Sequence, residues 1–211
     1  MGDGIHANFT SIRKRVGGLW KHWSMKSSLI GLVGYARSGK NSFADFIGDN
    51  SKSISFAYAL RKELDNFLIE KLGISAFTED PKEKEIVRPL LVCWGTEIIR
   101  NQIDQDYWVK SIKKTVEINR KNNICSIITD VRFENEISWI KEKGGVCIWI
   151  ERSDIGPKNA DEQNYTLPLK EKCDFVFSWP NLNHFESEGK KLAKEFLIKN
   201  NICLKTAQTK N

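Results

Sequence analysis

Three observations predict an α/β fold of three layers, with a mainly parallel five-stranded sheet and helices on both faces. Short apolar runs alternate with amphipathic stretches from Leu29 onwards. A glycine-bracketed loop, Gly34 to Lys40, joins the first apolar run to the stretch behind it. A later apolar run, "ICSIITD", closes on an aspartate, Asp130. A chain of 211 residues fits one domain with room for a full core.

Taken in order, residues 1–27 stand apart. Ile5, Phe9, Ile12, Val16, Leu19, Trp20 and Trp23 recur at helical spacing, with Arg13, Lys14, Arg15 and Lys21 between them and Asp3 the only acid. They read as a basic amphipathic helix, or as a disordered extension, since Gly17-Gly18 interrupts the pattern. Residues 28–202 form the expected domain. Strands are expected at Leu29–Val33, Ser53–Phe56, Cys125–Thr129, Val146–Ile150 and Phe175–Phe177. Helices are expected at Lys40–Gly48, Ala57–Leu72, Pro89–Asn101, Tyr107–Asn119, Glu134–Lys143 and His184–Lys199. Leu60, Leu64, Phe67, Leu68 and Leu72 place one apolar face on the second helix. Gly144-Gly145 supplies the turn into the fourth strand. Residues 203–211 are a polar tail.

The composition, 40% hydrophobic and 28% charged, is that of a soluble globular protein. No run is long and apolar enough for a transmembrane segment, and none reads as a secretory signal, so a cytoplasmic location is expected. A formal charge of +6 suits phosphorylated small molecules as well as nucleic acid. Five cysteines at unpaired spacings, with Cys93, Cys125 and Cys147 inside apolar patterns, point to buried thiols rather than disulfides or zinc.

The loop carries the chemistry. Gly34-x4-Gly39-Lys40 follows an apolar strand and opens a helix, the context in which a phosphate-binding P-loop works. Its glycines let backbone N–H groups curl round phosphate oxygens, and the helix start adds a positive end. Lys40 is placed to bridge the outer phosphates. Arg37 and Ser38 lie within the loop. Asn41 occupies the usual Ser/Thr position, and the hydroxyl comes one residue later, at Ser42. Adenylate kinases show the same shift, reading Gly-Lys-Gly-Thr, so the loop is similar to those of nucleoside monophosphate kinases.

Four ordered segments extend that likeness: "GYARSGKNSFADFI", "SFAYALRKEL", "RPLLVCWGTEIIRNQIDQDYWV" and "IITDVRFENE". They resemble the successive motifs of bacteriophage-type deoxynucleoside monophosphate kinases, over about Ser28 to Ile150. The resemblance implies the three-layer P-loop kinase fold, ATP and Mg2+ as cofactors, and a nucleoside monophosphate as the bound partner. Nucleic acid is not the expected partner, and a homodimer is neither required nor excluded. Gly34, Arg37, Ser38, Gly39, Lys40, Asn41 and Ser42 would hold the triphosphate. Asp130, at a strand end beside the loop, is placed like the acid that holds magnesium or its waters, together with Ser42. Its alternative role is to cap the helix that starts at Glu134. Arg132 would clamp the transferring phosphate and Glu136 orient that arginine, which with Lys40 and Asp130 makes the catalytic set. Arg61, Arg88 and Arg100 match family arginines that cage the acceptor phosphate. Trp94 and Tyr107 are candidate stacking partners for its base, whereas Trp108 reads as core.

Three departures bear on function. Asn41 replaces a family aspartate and so removes a carboxylate beside the transferring phosphate. Val92 replaces a glutamine. The family's His-x-Ser-Glu segment after the fourth strand is here "NADEQNY". A related small-phosphate kinase, similar to animal phosphomevalonate kinases, and a nucleotide-binding protein inactivated at Asn41 are the alternatives.

Overall fold

The structure, a computed structural model, describes residues 11–16, 19–24, 28–48, 50–158, 160, 162–180 and 185–202. Five parallel strands form the central sheet: β3 (Leu29–Val33), β4 (Ser51–Ile54), β5 (Cys125–Val131), β6 (Val146–Arg152) and β7 (Phe175–Trp179), in the order β4-β5-β3-β6-β7. A separate antiparallel pair, β1 (Ser11–Val16) and β2 (Leu19–Ser24), precedes it. Over these two runs strands replace the helical reading, while the readings of residues 1–10 and 203–211 lie outside the described residues. Gly17-Gly18 separates the two runs at a length that suits a hairpin connection and breaks a helix.

The central strands β5, β3 and β6 are buried on both faces because they are largely apolar, as inner parallel strands require, whereas the edge strands β4 and β7 are partly exposed. Alternate residues serve opposite layers. Leu29, Val33, Cys147 and Trp149 belong to one core, with Ile112 and Val116 of α4 (Tyr107–Lys121) and Ile137 and Ile140 of α5 (Glu134–Glu142). Ile30, Leu32, Ile148 and Ile150 belong to the other. There they meet Phe43 and Ile47 of α1 (Lys40–Ile47) and Ala193 and Leu197 of α6 (Phe185–Lys199). Each large aliphatic side chain fully buried in this way contributes about 1.5–3 kcal/mol. A satellite core of Leu68, Ala76 and Val87 joins α2 (Phe56–Leu72) to α3 (Pro81–Val92).

The helix expected from Pro89 begins eight residues earlier by sequence number, at Pro81. The Asp80 carboxylate accepts the Lys82 and Glu83 N–H groups, and Pro81 occupies the first turn, where its missing donor costs nothing. Pro89 then falls inside α3. Beyond it the backbone widens into a π-helical segment, Cys93–Ile103, which ends as Asp104 N–H donates to Ile99 O at 2.8 Å. Cys125 and Cys147 are buried free thiols as expected, but Cys93 is only half-buried. No helix among the described residues is long and apolar enough to cross a membrane.

Candidate active site

The loop between β3 and α1 lies at the carboxyl ends of the strands, where open parallel sheets bind ligands. Gly34 (φ 143°) and Gly39 (φ 89°) adopt backbone conformations that L side chains rarely reach. A Cβ on Gly34 would stand 2.3 Å from the Ile150 carbonyl oxygen, and one on Gly39 would stand 2.4 Å from Trp179 Nε1. Both glycines are therefore required by close approach as well as by φ. Arg37 (φ 66°) also takes the left-handed region. Lys40 Nζ donates to the loop's own carbonyls, Gly34 O at 2.8 Å and Tyr35 O at 2.6 Å. Ser38 is 1% exposed, with its hydroxyl buried and its N–H donated to Tyr35 O at 3.2 Å within the loop.

A cleft of about 690 Å³ opens over the loop, lined by Arg37, Gly39, Lys40, Asn41, Ser42 and Arg152 among others. A second, of about 400 Å³, runs between α2, α3 and the π-helical segment. Its floor is apolar (Phe56, Leu60, Val87, Trp108) and its rim carries Lys84, Arg88 and Arg132. The two clefts share Ala57, Arg61, Asp130 and Arg132. The Arg132 guanidinium is exposed and makes no hydrogen bond or ion pair among the described residues; nor do the side chains of half-buried Arg61 and exposed Arg88.

Asp130 is fixed by three donors from across the sheet: Ser55 Oγ at 2.8 Å, Phe56 N–H at 3.0 Å and Ala57 N–H at 2.9 Å. Its capping role is thus at the start of α2, not of α5. The carboxylate gains from the helix dipole there and still lines the cleft. Glu136, 2% exposed, accepts the backbone N–H groups of Arg132 (2.8 Å) and Phe133 (3.1 Å). It therefore steadies Arg132 through the main chain rather than through its guanidinium. Its other oxygen pairs with Arg100 at 2.5 Å. Burial pushes the Glu136 carboxyl upward in pKa, against the pull of Arg100 and the amides. Arg100, stacked 3.6 Å from the Phe133 ring centroid, is a buried strut at the second cleft. Removing one partner of such a pair leaves an uncompensated buried charge. Glu136→Ala is expected to cost about 3–5 kcal/mol of stability, read by chemical denaturation, with Glu136→Gln losing less.

Trp94 lines neither cleft. Its Nε1 donates to Glu63 Oε1 at 3.0 Å, and the Tyr107 hydroxyl donates to Glu63 Oε2 at 2.9 Å, so one carboxylate holds both rings against the core. Trp108 is core-forming as expected and donates to Gly95 O at 2.8 Å, though it also floors the second cleft. The aromatic pair that does line the first cleft, Tyr58 and Phe77 (centroids 5.3 Å apart), was not singled out by sequence. Arg152, at the end of β6, and Glu162, whose carboxylate takes the Ala36 N–H, were also missed. "NADEQNY" therefore does bring a glutamate to the loop, despite lacking the family's His and Ser.

Burial lowers the Lys40 pKa to about 8; Arg132 acts in the same sense, and Glu162 and Asp130 oppose it. The ammonium that a phosphate needs is thus lost as pH rises through about 8 in the free protein. A profile of kcat/KM for the phosphate donor should fall about tenfold per pH unit above that point. A profile flat to pH ~10, near the ordinary lysine value, would contradict this role.

Among the described residues no group of three or more His, Cys, Asp or Glu could hold a metal by itself.

The chain is similar to known proteins in sequence and in fold. The chain is 29% identical over 168 residues to a protein of Acanthamoeba polyphaga mimivirus named "Putative deoxynucleotide monophosphate kinase", covering 70% of this chain and 86% of that one. Its fold is similar to that of dephospho-CoA kinase from Campylobacter jejuni, with a TM-score of 0.51 at 16% identity over 82% of this chain and 97% of that one. Shikimate kinase from Aquifex aeolicus matches at 14% identity over 82% and 95% of the chains, with a TM-score of 0.42, too low to add to the fold assignment. Residues 65–178 match the family model for deoxynucleotide monophosphate kinase, more than half of the chain, and the chain belongs to that family of P-loop kinases.

Proposed function

We propose that the protein transfers the γ-phosphoryl group of ATP to a deoxynucleoside monophosphate, with the loop cleft as donor site and the α2–α3 cleft as acceptor site. The observation that carries this reading is the junction of the two clefts at Arg61, Asp130 and Arg132. Phosphoryl transfer needs two substrates in line and positive charge on the equatorial oxygens of the group in flight. An acceptor phosphate oxygen forms the new bond to the γ-phosphorus, the bond to the β–γ bridging oxygen breaks, and ADP leaves. Lys40 neutralises charge on the donor side, and Arg132 and Arg61 do so between the sites. Arg88 holds the acceptor phosphate at the rim, while the apolar floor around Leu60, Val87 and Trp108 excludes water. Arg100 acts as a strut beneath them. Ser42, whose hydroxyl makes no hydrogen bond among the described residues, and Asp130 would hold magnesium or its waters. Bound there, the ion would offset charge on the donor's phosphates. ATP as donor fits a cytoplasmic location.

Chromatography of reactions containing Mg-ATP and each deoxy- and ribonucleoside monophosphate tests this assignment. Formation of a deoxynucleoside diphosphate is expected. If every acceptor is returned unchanged, by this protein and by Asn41→Asp alike, the reading fails.

A further inference from the structure

Glu162 plays no part in the transfer scheme above, yet its carboxylate joins two distant stretches of backbone. Oε1 accepts the N–H of Ala36, inside the phosphate loop and 126 residues away in sequence, at 2.9 Å. Oε2 accepts the Lys158 N–H at 2.9 Å. The charge that makes these bonds strong is retained. Against the opposing effect of partial burial, the Lys158 and Ala36 amides and then Lys40 and Arg132 hold the carboxyl below its usual range. Charge-assisted bonds of this kind are roughly twice as strong as neutral ones.

The location gives the bridge its meaning. Ala36 sits between the two carbonyls on which Lys40 rests, Gly34 and Tyr35, and the left-handed residue Arg37. Fixing its amide fixes the plane of the peptide that carries the Tyr35 oxygen, and with it one of the two rests for the Lys40 ammonium. The same carboxylate lies in the field of Arg132 at the junction of the clefts. A glutamate is the residue type that can accept two N–H groups on separate oxygens and add negative charge between two cations. We propose that Glu162 is a positioning residue for phosphoryl transfer, clamping the phosphate loop at Ala36 to the segment after β6 so that Lys40 and Arg132 meet the triphosphate in line. The inference rests on the kinase reading for its catalytic consequence, but not for its effect on binding.

Calorimetric titration with Mg-ATP and steady-state kinetics with the best acceptor, on wild type, Glu162→Ala and Glu162→Gln, test it. Glu162→Ala should weaken Mg-ATP binding about tenfold, as expected for losing hydrogen bonds to a charged group. It should also lower kcat on the order of 10- to 100-fold, the scale of a small misplacement of reacting groups, with the acceptor KM little changed. Glu162→Gln keeps an oxygen for Ala36 but turns an NH2 towards the Lys158 donor, so it should fall between the two. Wild-type binding and kcat in Glu162→Ala would overturn the proposal. So would tighter Mg-ATP binding, which would make the carboxylate a competitor of the nucleotide. Losses that merely follow a fall in the thermal midpoint would overturn it too, leaving a structural tie. If neither wild type nor Asn41→Asp transfers anything, the kinase reading fails, and the binding titration alone still decides for or against Glu162.

Discussion

Arg132→Ala is expected to lower kcat about a thousandfold, the lower end of what an arginine on a transferring phosphoryl group contributes. Mg-ATP affinity should change by less than about tenfold, because ground-state binding rests on the loop and Lys40 rather than on this side chain. The asymmetry follows from where the residue sits. Its backbone N–H is held by Glu136 at 2.8 Å, so the main chain that carries it is fixed before substrate arrives. Its guanidinium makes no hydrogen bond or ion pair among the described residues and lines both clefts, where charge develops between donor and acceptor. Preorganised charge of this kind costs little reorganisation at the moment of transfer. Steady-state kinetics beside calorimetric binding check the split. Full kcat in the variant would remove Arg132 from the mechanism.

Lys40→Ala should be as damaging, by about 10²–10³ in kcat on the scale of losing one preorganised donor, and should also weaken Mg-ATP binding. Lys40 differs from Arg132 in touching the loop itself. Its ammonium lies on Gly34 O and Tyr35 O, so the loop is organised around it. Removal therefore costs both the charge and the loop's internal bonds. Lys40→Arg is not expected to rescue, because a planar fork cannot replace a compact ammonium on two converging carbonyls. Single-turnover measurements separate the binding loss from the chemical one, and a variant with unaltered binding and kcat would contradict the role.

Most of the sheet was legible because buried parallel strands are written locally as apolar runs, and the loop because its spacing is local too. Asp130 and Arg132, which line both clefts, follow one of those runs. Two of the misreadings depend on contacts between residues far apart in the chain, and two on a stronger local signal nearby. Trp94 reads as a stacking residue until Glu63 is seen to hold its indole, 31 residues away. Asp130 caps a helix whose first residue lies 74 positions earlier, which no reading of its neighbours would suggest. Pro89 reads as a helix start, and is instead carried inside one by the stronger Asp80-Pro81 start upstream and a π-helical widening beyond it. In residues 11–24 the apolar spacing suits a helix, but β-branched residues and the Gly17-Gly18 break favour paired strands. Asn41 is the departure that sequence flagged most clearly. It is exposed in the donor cleft, where an amide leaves the field around Lys40 less negative than the family's aspartate would.

The most direct measurement follows the phosphoryl group itself, with ATP labelled at the γ-phosphorus and a deoxynucleoside monophosphate in the same reaction. Label recovered in the deoxynucleoside diphosphate, in step with ADP and abolished in Lys40→Ala, is the predicted result. Label that stays in ATP, or appears only as inorganic phosphate whatever the acceptor, would contradict the assignment of two joined substrate clefts.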